Sequence, residues 1–179
     1  MTEIKGEKIL IVGISGSGKS TFSKKLGKAL NIEVHHLDKY FWKPGWKKTE
    51  SAQWDDLLLK LMAKDSWIIE GNFARTFKMR SMHADKVIMF DYPSVKCIYR
   101  ISKRILKSKL RIEKRTDMAE GCNEKWFDRE FLYWVWHFNN NVRPKMYGAL
   151  DEINFDKRNL IVFNKNKDVK KYLQNVKTV

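Results

Sequence analysis

Apolar residues along the chain follow two alternating rhythms. Short runs at Lys8 to Ile14, Glu33 to His36, Ser66 to Ile69, Lys86 to Asp91 and Asn159 to Phe163 have the length and texture of strands, several of them apolar on both faces. Between them the spacing changes to three and four. Phe22, Leu26, Ala29 and Leu30 predict a helix beginning at Lys19. Trp54, Leu57, Leu58, Leu61 and Met62 recur at i, i+3, i+4, i+7 and i+8 and predict a second, amphipathic helix. A third runs from Ser94 to Lys109, with Ile98, Ile101 and Ile105 on its core side, and a fourth, rich in aromatic residues, from about Asn123 to Asn141. A last helix covers about Lys167 to Asn175, and Leu37 to Lys48, with Pro44-Gly45, reads as a loop. Strands alternating with helices predict an α/β fold, a parallel sheet with helices on both faces. No internal repeat and no low-complexity linker interrupts it, so residues 1–179 read as a single domain with a lid-like insert at 107–125.

Between the first strand and its helix stands Gly13-Ile14-Ser15-Gly16-Ser17-Gly18-Lys19-Ser20, followed by Thr21. It matches G-x-x-x-x-G-K-[ST], the phosphate-binding P-loop. Glycines let the backbone curl so that successive N–H groups form an anion nest, and the helix dipole adds positive potential at the same point. Lys19 then reaches the β- and γ-phosphates of ATP, and the Ser20 hydroxyl ligates Mg²⁺. In average composition such a match arises in roughly one chain of this length in a hundred, and here it also sits in the required strand–turn–helix context. A dinucleotide fingerprint does not fit, because the third glycine is missing.

Two carboxylates follow predicted strands, where ligands of parallel sheets bind. Glu70, after Trp67-Ile68-Ile69, is placed to hold the Mg²⁺ shell through water or to orient an acceptor hydroxyl. Asp38, after the second strand, is a candidate general base or acceptor-binding group. Arg75 and Arg80 come next, and Arg75 is the nearer to Glu70 for clamping an acceptor phosphate. Trp42 and Trp46 suit either ring stacking or loop anchoring. In the aromatic helix Phe127, Phe131, Trp134 and Phe138 form a stripe expected to pack into the core, while Tyr133 and Trp136 suggest a second covered face such as a dimer contact.

Composition adds an electrical bias. Of 179 residues, 36 are Lys or Arg and 21 Asp or Glu, a net charge of +15, which implies anionic partners. A 43% hydrophobic content excludes a wholly disordered chain, and 9 Gly, 3 Pro and 2 Cys exclude collagen-like and disulfide-scaffold classes. Neither Cys97 nor Cys122 lies in a metal-binding spacing, and two lone thiols without a recognisable leader or spanning segment suggest a reducing, cytoplasmic location away from membranes. The densest cations are Arg100, Lys103, Arg104, Lys107 and Arg111, at helical spacing on one face and continued by Lys109, Lys114 and Arg115. A solvated face and a nucleic-acid track are alternatives to a catalytic role for them.

Taken with the P-loop and His36-Leu37-Asp38, the chain resembles small adenylate-kinase-like proteins, and more closely the DNA topology modulation (FlaR-related) family. The resemblance is carried by Phe41-Trp42-Lys43-Pro44-Gly45-Trp46, Trp67-Ile68-Ile69-Glu70-Gly71-Asn72-Phe73, Ala84-Asp85, Arg115-Thr116-Asp117-Met118, Gly121-Cys122 and Glu124. It implies a P-loop fold of the nucleoside- and nucleotide-kinase type with sheet order 2-3-1-4-5. It also implies a lid in which Arg104, Arg111 and Arg115 close on the transferring phosphates, and an adenine bordered by Asn164-Lys165-Asn166. The expected activity is Mg²⁺-dependent transfer of the γ-phosphoryl of ATP to a small-molecule acceptor, with Lys19 and the lid arginines stabilising charge and Asp38 positioning the acceptor. The alternative, to which the family name points, is a nucleic-acid-binding ATPase or regulator affecting DNA topology; no helix-turn-helix, zinc finger or RNA-binding signature accompanies it.

Overall fold

The structure, a computed structural model, describes residues 7–110, 119, 121–122 and 128–176. In chain order the elements are β1 (Lys8–Gly13), α1 (Lys19–Leu30), β2 (Val34–His36), α2 (Leu37–Phe41), β3 (Trp42–Lys43), β4 (Lys47–Lys48), α3 (Ser51–Met62), β5 (Trp67–Glu70), α4 (Ala74–Met82), β6 (Lys86–Phe90), α5 (Ser94–Lys109), α6 (Arg129–Asn141), α7 (Arg143–Glu152), β7 (Leu160–Phe163) and α8 (Asn166–Val176). Five strands form a parallel sheet in the order β2-β5-β1-β6-β7, which, counting these five alone, is 2-3-1-4-5 as the resemblance implies.

The central position of β1 follows from its residues. Ile9, Leu10, Ile11 and Val12 are all fully buried. Successive strand residues point to opposite faces, so both faces of β1 are covered. Phe22 of α1 meets Phe90 of β6 and Phe163 of β7 edge-on, at ring separations of 5.3 and 5.5 Å, locking the helix after the P-loop to the far half of the sheet. The segment that follows β6 at this same end is fastened by Arg143, whose guanidinium donates to both oxygens of Asp91, and by Asn139 Nδ2, which donates to the Tyr92 carbonyl.

Several elements depart from the pattern analysis. The loop expected at Leu37 to Lys48 contains the single-turn helix α2 and an antiparallel hairpin, β3 with β4, turning through Pro44 to Trp46. Helices α4 and α7 were not assigned from the sequence: α4 buries the mixed set Thr76, Phe77, Arg80 and Ser81, and α7 buries only Met146 and Leu150, too few to set a period. The aromatic helix is described from Arg129, with the Asp128 side chain accepting from the Phe131 N–H as its cap. Its fully buried positions are Val135 and Phe138. Trp134 is 36% exposed, and Tyr133 and Trp136 are exposed rather than covered in this chain. Phe127 and most of the expected lid, including Arg111, Lys114 and Arg115, lie outside the described residues. Among the described residues no helix is long and apolar enough to cross a membrane.

Candidate active site

The P-loop turns out of β1 and into α1 with Gly16 and Gly18 at φ of 80° and 99°. Gly16 is required sterically as well as conformationally. A Cβ there would lie 2.6 Å from the Cys97 carbonyl oxygen and 2.9 Å from Ile101 of α5, so the loop rests directly on that helix. Ser17 Oγ and Lys19 Nζ both donate to the Ile14 carbonyl, at 2.7 and 2.9 Å, and fold the loop over itself. Burial pushes the Lys19 ammonium below its ordinary pKa, against the opposing pull of the Glu70 and Asp38 carboxylates; Arg104 lies close enough to lower it further. A phosphate at the loop would favour the charged form of this lysine, against the desolvation that lowers it.

Glu70, at the end of β5 and 6% exposed, meets the start of α1. Its Oε2 accepts from Ser20 Oγ at 3.2 Å and faces His36 Nδ1 at 2.9 Å. An ionised carboxylate can only accept, so a charged Glu70 takes this bond from a His36 ring protonated on Nδ1. The adjacent oxygens of Ser20 and Glu70 are the hard donors Mg²⁺ prefers, and the residues present fit that ion.

The segment after Glu70 is shaped by two contacts. Gly71, at φ 147°, leaves no room for a Cβ, which would fall 2.9 Å from Leu37 Cβ; this close approach brings the Asp38 turn against the Glu70 loop. Asn72 Oδ1 accepts from the Gly13 N–H at 2.9 Å, tying the segment to the P-loop. Both rest on Arg80. Its side chain is fully buried and donates to the Gly71, Asn72 and Phe73 carbonyls through Nη1 and Nη2, and to Thr76 through Nε. Burial pushes its pKa down to about 9, which still leaves a cation at neutral pH.

Ser15, Lys19, Asp38 and Glu70 share the lining of one cavity of about 570 Å³ with Gly71, Asn72 and Phe73. Its remaining wall comes from the hairpin (Trp42, Trp46, Lys48), from α6 with its cap (Asp128, Glu130, Phe131, Leu132, Trp134) and from Ile105 of α5. Trp42 and Trp46 are therefore cavity residues, and they also pack edge-on against each other at 5.4 Å. Gly13, Gly16, Ser17, Gly18, Ser20 and Thr21 complete the loop and the first turn beneath it, with Thr21 exposed. Arg75 is not brought to the cavity. It makes a two-pronged pair with Asp55 of α3, at 2.6 and 3.0 Å, on the exposed surface, and Arg80 occupies the inward position instead. The basic face of α5 also divides. Arg100 turns to the P-loop, donating to the Ser17 carbonyl and to Asn166 Oδ1 while lying over the Tyr92 ring. Arg104 is half-buried within electrostatic reach of Lys19, and Lys103 is exposed.

The sequence assigns no site role to Lys48, Asp128 or Glu130, carries Asn72 only within the Glu-Gly-Asn run, and ranks Arg80 behind Arg75. The Glu-Gly-Asn run was the available signal for Asn72, whereas nothing in the residues showed that Arg80 rather than Arg75 turns inward.

A family model described as AAA domain (AAA_18) matches residues 9–142. Sequence comparison with curated proteins finds no match. Solved structures with the same fold include a gluconokinase from Sinorhizobium meliloti 1021 (10% identity, 97% of this chain and 91% of that one, TM-score 0.54). A deoxyadenosine kinase from M. mycoides with bound dATP (17%, 96% and 97%, TM-score 0.51) and a shikimate kinase from Bacteroides thetaiotaomicron (16%, 96% and 96%, TM-score 0.50) share it too. The fold is thus that of P-loop kinases.

Proposed function

The chain belongs to the AAA domain family (AAA_18), and from that premise and the geometry of its cavity we propose that it is an ATP-dependent small-molecule phosphotransferase. The observation that carries this reading is the convergence of Lys19, Glu70 and Asp38, from three separate strand ends, on one cavity. The P-loop cradles the triphosphate, and Lys19 spreads the charge that develops on the transferring group. Arg104 assists, with Arg111 and Arg115 of the 107–125 lid. Mg²⁺, held by Ser20 and, through water, by Glu70, supplies charge neutralisation at the phosphates when bound. Asp38 accepts the proton of the acceptor hydroxyl as its oxygen bonds to the γ-phosphorus. The bond from that phosphorus to the β–γ bridging oxygen breaks, and ADP leaves. His36 and Arg80 act one step back: His36 orients the Glu70 carboxylate, and Arg80 holds the 71–73 carbonyls behind it. The location expected for such an enzyme is the cytoplasm.

The test is ADP release from Mg·ATP across a panel of nucleosides, nucleotides and sugars, with Lys19→Ala as the companion variant. Turnover with at least one acceptor is expected, and Lys19→Ala should lose both turnover and the ATP-dependent rise in melting temperature. Absence of turnover across the panel, or an unchanged ATP shift in the variant, would sink the proposal. The DNA reading keeps one specific observation: Lys24, Lys25 and Lys28 of α1 stand on the surface away from the cavity lining. If it holds, duplex DNA binds and the affinity falls steeply as salt rises.

A further inference from the structure

The side chain of Asn72 is fixed at one end and open at the other. Its Oδ1 accepts from the Gly13 N–H at 2.9 Å. A backbone N–H bonds only to an acceptor, so the orientation of the amide is settled, with the oxygen toward the loop. The backbone carbonyl of the same residue is taken by Arg80 Nη2. Asn72 Nδ2 carries two hydrogens, and neither has a bond among the described residues. The residue is half-buried and lines the cavity.

The neighbours of that amide are the groups of the transfer site. Gly13 opens the phosphate-binding signature, and Ser15 and Lys19 are the loop side chains that share the cavity wall with Asn72. Two residues before it stands Glu70, bonded to Ser20 of the same loop, and Asp38 lines the same space. The backbone that carries the amide is held in conformations few residues adopt. Gly71 before it lies at φ 147°, and Phe73 after it at φ 34°, a left-handed value for a bulky side chain. Arg80 donates to all three carbonyls of this segment and pins its shape. Strain of this kind persists where the surroundings over-determine it, and it gathers at ligand clamps and active sites. The residue type fits the place as well. An asparagine accepts from the loop N–H and donates to a phosphate oxygen at once. An aspartate would accept equally well but turn a second negative oxygen toward the phosphates.

We infer that Asn72 is a further catalytic residue, whose Nδ2 donates to a non-bridging oxygen of the γ-phosphoryl group of ATP through an amide already locked to the P-loop. This rests on the phosphotransferase reading of the cavity. As the acceptor oxygen bonds to the γ-phosphorus, its proton passes to Asp38 and ADP leaves; Nδ2 keeps both of its protons throughout. A donor set in advance costs no reorganisation as charge shifts on the transferring group.

Calorimetric titration of the intact protein with Mg·ADP and with the Mg²⁺ complex of β,γ-imido-ATP tests it. The quantity read is the ratio of the two affinities, which isolates the third phosphate. In Asn72→Ala the analogue should lose about tenfold or more relative to ADP, as loss of a hydrogen bond to a charged group does. A residue that only braces the loop weakens both nucleotides by the same factor, so an unchanged ratio would overturn the inference. Asn72→Asp keeps an oxygen for the Gly13 N–H. Its melting temperature should stay within about 3 °C of the parent, while its ratio falls at least as far as that of Asn72→Ala. An Asn72→Asp protein with the ratio of the parent would count equally against the role. A ratio lost in both variants, with no ADP released by the parent from Mg·ATP and any acceptor, refutes the phosphotransferase and keeps Asn72 as the γ-phosphate donor. Turnover by the parent with an unchanged ratio in the variants does the reverse, and a parent that binds neither nucleotide refutes both.

Discussion

Replacing Arg80 with methionine keeps the side-chain volume roughly constant and removes only the guanidinium. Three carbonyls lose donors, that of Gly71 in a buried place and those of Asn72 and Phe73 in partly buried ones. Each unsatisfied buried carbonyl costs about 1–3 kcal/mol. The three lie in one short segment that relaxes together, so the costs do not add fully, and the total expected is about 3–5 kcal/mol. For a chain of this size each kcal/mol moves the melting temperature by about 2–4 °C, which gives a fall of about 6–20 °C. The assay is thermal unfolding with and without Mg·ATP. The ATP-dependent rise should shrink as well, because Asn72 is the side chain that accepts from the Gly13 N–H of the P-loop. Arg75→Met is the internal control. It breaks an exposed pair worth about 0–1 kcal/mol, so its melting temperature should move by less than about 4 °C. Equal shifts for the two variants, or an Arg80→Met protein within about 3 °C of the parent, would refute the idea that this guanidinium holds the loop.

Gly16→Ala and Gly18→Ala impose similar left-handed backbone strain, about 1–3 kcal/mol, but only Gly16 has the Cys97 carbonyl within 2.6 Å of the new methyl. Gly16→Ala should therefore be clearly the more destabilising in urea unfolding, and indistinguishable midpoints would count against the packing of the loop on α5. His35 is buried beside Tyr40, and burial lowers its pKa, with Glu33 pulling the other way. A depressed histidine stays neutral in the fold and protonates more readily when unfolded. Its contribution is complete above the unfolded value of about 6.5 and is lost as the pH falls below it. The urea midpoint should drop between about pH 7.5 and about pH 5.5, and His35→Phe should flatten that drop; the same drop in the variant would show that other groups cause it. Cys97 is fully buried and burial pushes its thiol up to about 11. Alkylation at about pH 8 should be far slower in the native protein than in urea, and labelling at the rate of a free thiol would disprove that environment.

The P-loop, the five sheet strands and the helices α1, α3 and α5 were all legible in the residues, because each depends on local rules. A G-x-x-x-x-G-K-S run can do little but close on an anion, and a run such as Ile9 to Val12 buries itself on both faces wherever the chain places it. Asp38 and Glu70 were legible for the same reason: residues at the ends of parallel strands arrive at one edge of the sheet. Helices α4 and α7 were not, since α4 turns Thr76, Arg80 and Ser81 inward and so carries no apolar period. The roles of Arg75 and Arg80 were likewise hidden. Five residues apart on the same helix, they differ in what faces them, Asp55 of α3 in one case and the 71–73 carbonyls in the other. The makeup of the cavity was the least legible feature. The composition of the whole chain points to anions, while the hairpin and α6, more than 80 residues apart in sequence, together enclose a space lined by carboxylates and lysines and by aromatic rings. Net charge is a sum over the chain, whereas a ligand meets only the few side chains that folding has gathered around it.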